Sequence, residues 1–296
     1  MLDITNIVNR RNNVQTFTSP NTWQTWIKPR GAKFVNILCI GGGNGGNGSP
    51  YTAGSPGAGG TGGPSSPFTK AIFPANLLPD ILYIFTGARG QGGIGQTGAS
   101  ANNTVTQGGI SYITVTPNTG SVSGILCRSA NTNGTAGAIT VGTVATAANM
   151  VLINLATSFI TNVGQAGAAA SGNDITPNTI VTGGASGGLR SGASTTPGGV
   201  ILTAGPIPGI PKIAVNNIFR NGPTGFIIQK PIFATTGGCG GGGGGATNQP
   251  LTCVGGDASY GSGGGGAGSM GVGAGDLGAN GGNGGDGIVI ITTICQ

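Results

Sequence analysis

Phe34 to Gly63 reads FVNILCIGGGNGGNGSPYTAGSPGAGGTGG. Its first seven residues form an apolar run of strand length, and the rest is glycine at a fixed interval. From Gly42 the beat falls on Gly45, Gly48, Gly54, Gly57, Gly60 and Gly63, and misses only at Tyr51. A three-residue period is that of the left-handed polyproline II helix, which has three residues per turn and no internal hydrogen bonds. One residue per turn then lies on one edge, and glycine there lets another extended chain approach at backbone distance. The sequence therefore predicts a sheaf of packed glycine helices leaving a β-strand.

The same beat returns near the C-terminus, at Gly275, Gly278, Gly281, Gly284 and Gly287, and runs straight into IVIITTI, Ile288 to Ile294. Each glycine block adjoins an apolar strand, so the blocks are expected as rigid extensions of a β core. Further strands are expected at Val14 to Thr18, Pro79 to Thr86, Ile110 to Thr116, Ile139 to Val144, Met150 to Leu155 and Gly225 to Phe233. Thr143 to Ile160 is apolar enough for a helix, but its threonines and β-branched residues favour strands or irregular packed chain. Trp23 and Trp26 read as anchors of the β core. The expected fold is all-β: a small β-sandwich core with glycine-rich, polyglycine II-like extended layers and little or no α-helix. Residues 1–13 read as an N-terminal arm and a candidate attachment segment, 14–118 as a glycine-rich β domain, 119–230 as an inserted β or irregular region, and 231–296 as a second glycine block with its closing strand.

Composition narrows the function classes. Glycine supplies 65 of 296 residues and charged residues only 6%, far from the roughly one quarter charged of an ordinary globular protein. Disordered chains are rich in charge and poor in aliphatic residues, whereas this one has a positive mean hydropathy of +0.16. It is built to pack. Glycine loses more conformational entropy on ordering than any other residue, so close contacts in an assembly are expected to compensate. All twelve Lys and Arg lie at or before Lys230, against three of the six Asp. They are too scattered for the basic, aromatic-interleaved patch of a nucleic-acid binder.

Catalytic chemistry finds little material. There is no His and no Glu, which removes the commonest general bases and metal ligands. Asp174, Asp257, Asp276 and Asp286 read as turn formers and solubilising groups. Cys39, Cys127, Cys239, Cys253 and Cys295 are odd in number and widely spaced, unlike a disulfide framework or a zinc site, and Cys39 is expected to be buried and inert. Gly41, Gly43 and Gly46 after a strand match the dinucleotide fingerprint G-x-G-x-x-G, but the sequence beyond them cannot form the helix whose N-terminus must face the pyrophosphate. No cofactor, no metal and no enzymatic activity are expected. Met1 to Val8 lacks the regions of a secretory signal, and no run of 18 apolar residues occurs, so assembly in a cytoplasm without membrane insertion is expected.

Recognition, if the glycine layers are rigid, falls at their connecting turns: Asn47 to Pro56, Ala246 to Val254 and Asp257 to Ser262. Tyr51 and Tyr260 interrupt glycine-rich sequence where an aromatic has little core to enter, and with Asn248 and Gln249 they are the candidate binding residues. The same segments read equally well as plain turns.

The order of several motifs is distinctive. An aromatic precedes a K-P-x-G-A turn (Trp26, Lys28, Pro29, Gly31, Ala32), a strand ends in Gly-Gly-Gly (Ile37 to Gly43), a later one ends in Thr-Gly-Ala-x-Gly (Ile81 to Gly90), and G-G-D-G-I-V-I-I closes the chain (Gly284 to Ile291). Together they resemble the glycine-rich domain of bacteriophage tail-fibre and other virion appendage proteins, over Val14 to Thr116 and Gly237 to Ile294. A weaker likeness, of texture alone, is to tail-tip adhesins built from layered polyglycine II helices. The resemblance implies a structural or host-attachment component of a phage particle, a tail or head fibre protein, assembled in the host cytoplasm and then extracellular. Its partners would be other virion proteins, further copies of itself in a homo-oligomer such as a trimer, and a host cell-surface receptor. A capsid-associated minor structural protein and a surface-coating or ice-binding glycine-rich protein are the alternatives.

Overall fold

The computed structural model describes residues 13–49, 57–96, 105–117, 120–132, 134, 137, 139–191, 194–204, 221–225, 253–269 and 278–295. Thirteen strands occur among them: β1 (Asn13–Phe17), β2 (Trp23–Ile27), β3 (Ala32–Ile40), β4 (Phe68–Pro74), β5 (Ile81–Phe85), β6 (Tyr112–Thr114), β7 (Ile125–Arg128), β8 (Ala130–Thr132), β9 (Thr143–Val144), β10 (Ser158–Asn162), β11 (Arg190–Ser191), β12 (Ser194–Thr195) and β13 (Ile288–Cys295). One antiparallel sheet has the order β1-β13-β3-β4-β10, and a second has β2-β5-β6-β7. The pairs β8-β9 and β11-β12 stand apart.

The two large sheets face each other across one apolar core. Alternation along β3 turns Val35, Ile37 and Cys39 inward, beside Val289 and Ile291 of β13 and Ala71 and Phe73 of β4. Trp26, Leu82, Ile84, Ile113 and Cys127 meet them from the second sheet. Trp26 is thus a core anchor, as its position in the sequence suggests. Trp23 sits instead on the outer face, in a cross-strand row with Phe85 and Tyr112 whose ring centroids lie 5.1 to 5.7 Å apart.

Residues 120–204 build into this body. β7 completes the second sheet and β10 edges the first. Met150 to Leu155, expected as a strand, is instead a 3₁₀ turn over Val151–Leu155. Its buried side chains, Met150 and Ile153, are three apart, the spacing of a 3₁₀ helix and not the alternation of a strand. Gly225 to Phe233, apart from Gly225, lies outside the described residues.

Six of the described glycine segments leave the same end of the sandwich. Residues 41–49 continue β3, 60–66 lead into β4, 87–96 follow β5, 105–109 precede β6, 164–169 follow β10 and 278–287 lead into β13. The registers Ile40↔Phe68, Ile40↔Ile288, Phe68↔Asn162 and Phe85↔Tyr112 place these strand ends side by side. Ser111, fully buried, clasps the junction: its hydroxyl donates to the Ile40 carbonyl at 2.7 Å and accepts from the Gly87 N–H at 3.0 Å. Ser111→Ala strips both backbone groups of this partner. It is expected to cost about 1–3 kcal/mol, read as a lower midpoint in chemical denaturation with an unchanged slope.

Candidate functional site

Segment 41–49 is buried along its whole length and forms the axis of an array. Its backbone bonds fall in three rows, each repeating every third residue. Gly43, Gly46 and Ser49 donate to Gly285, Gly282 and Ala279, and accept from Gly90, Gly93 and Gln96. Asn44 and Asn47 donate to Pro64 and Thr61, and accept from Gly264 and Ala267. Gly42 and Gly45 donate to Gly109 and Thr106. The neighbours 278–287, 60–66 and 105–109 run antiparallel to the axis, and 87–96 and 261–269 run parallel. Five segments therefore surround one, each joined by backbone bonds at the polyproline II period. The sixth side is met by side chains: the Asn44 and Asn47 amides donate to the Gly134 and Gly137 carbonyls, both at 2.7 Å.

The array extends outward by the same rule. Gly278, Gly281, Gly284 and Gly287 donate to Gln96, Gly93, Gly90 and Gly87. Gly184 and Gly187 bind Gly63 and Gly60, while Gly263, Gly266 and Ser269 bind Thr182, Ala185 and Gly188. A Cβ on the axis would meet backbone on two of its three rows. At Gly42 and Gly45 it would strike the Ala88 and Gln91 carbonyls, and at Gly43 and Gly46 those of Ser262 and Gly265. The third row carries Asn44 and Asn47. The repeat is thus Gly-Gly-Asx, with two inward rows of glycine and one row free to bear a short polar side chain.

That third row finishes the rim. Asn280, Asn283 and Asp286 stand three apart, and their side-chain oxygens accept the N–H groups of Gly95, Gly92 and Arg89 at 2.8, 3.0 and 2.9 Å. The Asp257 carboxylate accepts from the Asn283 N–H at 2.7 Å, and Asn221 from Val254 at 3.1 Å. A carboxylate or carboxamide oxygen here takes the place of the backbone carbonyl of a missing neighbour. Asp257 and Asp286 are therefore parts of the array as well as solubilising groups, and Asp174 likewise accepts from the Val200 N–H at 2.9 Å.

Of the four candidate binding residues, Tyr51, Asn248 and Gln249 lie outside the described residues. Tyr260 is half-buried against Ile40, Val181, Ile288 and Ile290. The turn that carries it, Asp257 to Ser262, ranges from half-buried to buried. Tyr260 also lines an open recess of about 490 Å³ at the rim, with Arg89, Gly225, Ala258, Gly284 and Asp286. Sequence reading singled out the tyrosine but missed Arg89 and Asp286. The signal was there in the three-residue spacing of Asn280, Asn283 and Asp286, which places the carboxylate on the same row as two rim amides.

Four cysteines, Cys39, Cys127, Cys253 and Cys295, are free and buried. The Cys39 thiol donates to the Ser111 carbonyl at 3.2 Å, and burial, with Cys127 beside it, pushes its pKa well above the ordinary value of 9.0. Burial pushes the Cys253 thiol up to about 12. A thiol whose pKa is raised by folding stabilises the fold fully below its unfolded value, and that contribution is lost as pH climbs through the folded value. Thermal melts are therefore expected to be flat to about pH 8 and to fall between pH 9 and about 12. Cys253→Ala is expected to remove part of that fall.

A β-sandwich whose strand ends run on into a hydrogen-bonded glycine-helix array defines a class of rigid, low-charge scaffold. Residues 18–293 match the family model of the glycine-rich domain, and the chain belongs to that family. No curated protein matches it.

Proposed function

We propose that this protein is a structural component of a bacteriophage virion, a tail or head fibre protein that contributes to assembly or host-surface attachment. The observation that carries this reading is the array itself. Its axis, 41–49, is joined by backbone bonds to five neighbouring segments and continues strand β3, which suits a stiff projecting element more than a catalyst. Support also comes from the motif order between Trp26 and Ile291, from membership of the glycine-rich domain family, and from a composition without His or Glu.

In this reading the sandwich and its N-terminal arm engage other virion proteins, and the rim of the array beside Tyr260, near the strand ends at Ile40 and Ile288, faces a host receptor, with Tyr51, Asn248 and Gln249 as further candidate contacts outside the described residues. The protein works as a homo-oligomer, carries no cofactor and performs no chemistry. The test is immunogold labelling of purified particles together with mass spectrometry of their proteins. The expected result is a discrete label at a tail tip, collar or head vertex. Absence of the protein from washed particles of a producing culture overturns the reading.

A further inference from the structure

The recess at the rim of the array has the makings of a ligand site. Its walls combine an exposed cation, Arg89, a carboxylate, Asp286, and a half-buried phenol, Tyr260, over a floor of Gly284 and Gly285 that bears no side chains. Asp286 spends one oxygen on the Arg89 backbone N–H. Its other oxygen, the Arg89 guanidinium and the Tyr260 hydroxyl have no hydrogen-bond or ion-pair partner among the described residues. Three polar groups without a partner among the described residues thus belong to side chains that line one recess, whose volume of about 490 Å³ is within the small-molecule range of about 300–1,000 Å³.

Their chemistry selects the ligand. A carboxylate only accepts, a guanidinium only donates, and a phenol does both. The ligand must therefore donate and accept at adjacent positions. A phosphate or other compact anion meets the Asp286 charge, and a metal cation meets Arg89 with a single carboxylate to hold it. A neutral sugar ring meets neither objection. Its vicinal hydroxyls can donate to Asp286 and accept from Arg89, its C–H face can lie on an aromatic ring, and a glycine floor lets a flat ring come to backbone distance.

We propose that this recess binds a neutral saccharide through a pyranose ring, with Asp286 and Arg89 on a pair of adjacent hydroxyls and Tyr260 at the ring face. This deepens the attachment reading above and rests on it for its biological role: the receptor feature recognised is a neutral surface glycan.

The experiment is saturation-transfer difference NMR on the full chain with the methyl α-glycosides of glucose, galactose and mannose, and with glucuronic acid as a charged comparator. At least one neutral glycoside is expected to give transfer. Arg89→Ala and Asp286→Asn are each expected to weaken it by about tenfold or more, as befits loss of a charge-assisted hydrogen bond. Both variants should keep the parent melting temperature, since Arg89→Ala alters an exposed side chain and Asp286→Asn keeps an oxygen for the Arg89 N–H. The proposal is overturned if no neutral glycoside gives transfer, if transfer is indifferent to both substitutions, or if glucuronic acid alone binds. A protein that competes with particle adsorption to host cells yet binds no glycoside leaves attachment standing and overturns the saccharide. One that binds a glycoside but is absent from particles does the reverse.

Discussion

Gly46→Ala is expected to destabilise the protein by about 3 kcal/mol or more, seen as a fall in Tm of roughly 6–12 °C. The new Cβ would fall on the Gly265 carbonyl, with the Gly265 carbonyl carbon only 2.5 Å away. Real Cβ atoms essentially never come within 3.0 Å of such a neighbour, so one segment must move. Displacing 261–269 strains the bonds from Gly264 to Asn44, from Ala267 to Asn47 and from Gly282 to Gly265. The sign of the effect is as informative as its size. In a loose glycine coil the same substitution would stabilise by about 0.4–1 kcal/mol, because alanine has less unfolded-state freedom to lose. Asn280→Ala, on the exposed rim row, removes only the oxygen that accepts from Gly95 and is expected to cost about 0.5–1.5 kcal/mol. A large cost at Gly46 beside a small one at Asn280 separates inward rows from rim rows.

Phe73→Ala is expected to cost about 3–5 kcal/mol. Phe73 is fully buried, faces the second sheet from β4, and pairs across the ladder with Val35. Truncation leaves a cavity between sheets that are pinned together at one end by the glycine array and the Ser111 clasp, so the core has little freedom to collapse into it. The expected readout is a lowered midpoint in urea with an unchanged slope, since the native surface stays the same. A change in slope would mean that the sandwich and the array unfold separately. That outcome would contradict a body in which the strands run straight on into the glycine helices.

Strands with plain apolar signals were legible in the sequence. Phe34 to Ile40 and Ile288 to Ile294 correspond to most of β3 and β13, Val14 to Thr18 covers all of β1 but Asn13, and Pro79 to Thr86 encloses the whole of β5. β4 is hard to read because Phe68–Pro74 is flanked by Pro67, ends in Pro74 and carries Lys70 as its third residue. Only pairing with β3 makes sense of Lys70, which alternation turns to the outer face opposite Leu38. The three-residue beat showed that the glycine segments would be extended and closely packed, but it revealed one row and not two. Gly43 and Gly46 hold the second row, which turns to Ser49 and Thr52 within two steps and so shows no sustained beat. The rim role of Asn280, Asn283 and Asp286 was illegible for a different reason. In a low-complexity repeat any segment can lie against any other, and which neighbours meet is decided by where the flanking strands end.

The same geometry answers the entropy problem posed by so much glycine. The sequence pointed to contacts in an assembly as the compensation, and the structure supplies them within one chain. The axis 41–49 bonds to five other segments of the same molecule, and hydrogen bonds and dense backbone contact replace the side-chain core that glycine cannot provide.

Amide hydrogen exchange on the folded protein tests the array most directly. The N–H groups of Gly42, Gly43, Asn44, Gly46, Asn47 and Ser49 all donate to backbone carbonyls inside the array and lie on a fully buried segment. They are expected to be protected to the same degree as those of β3 and β13, opening only with global unfolding. Exchange of these amides at the rate of unstructured glycine peptide, while β3 and β13 stay protected, would contradict the array.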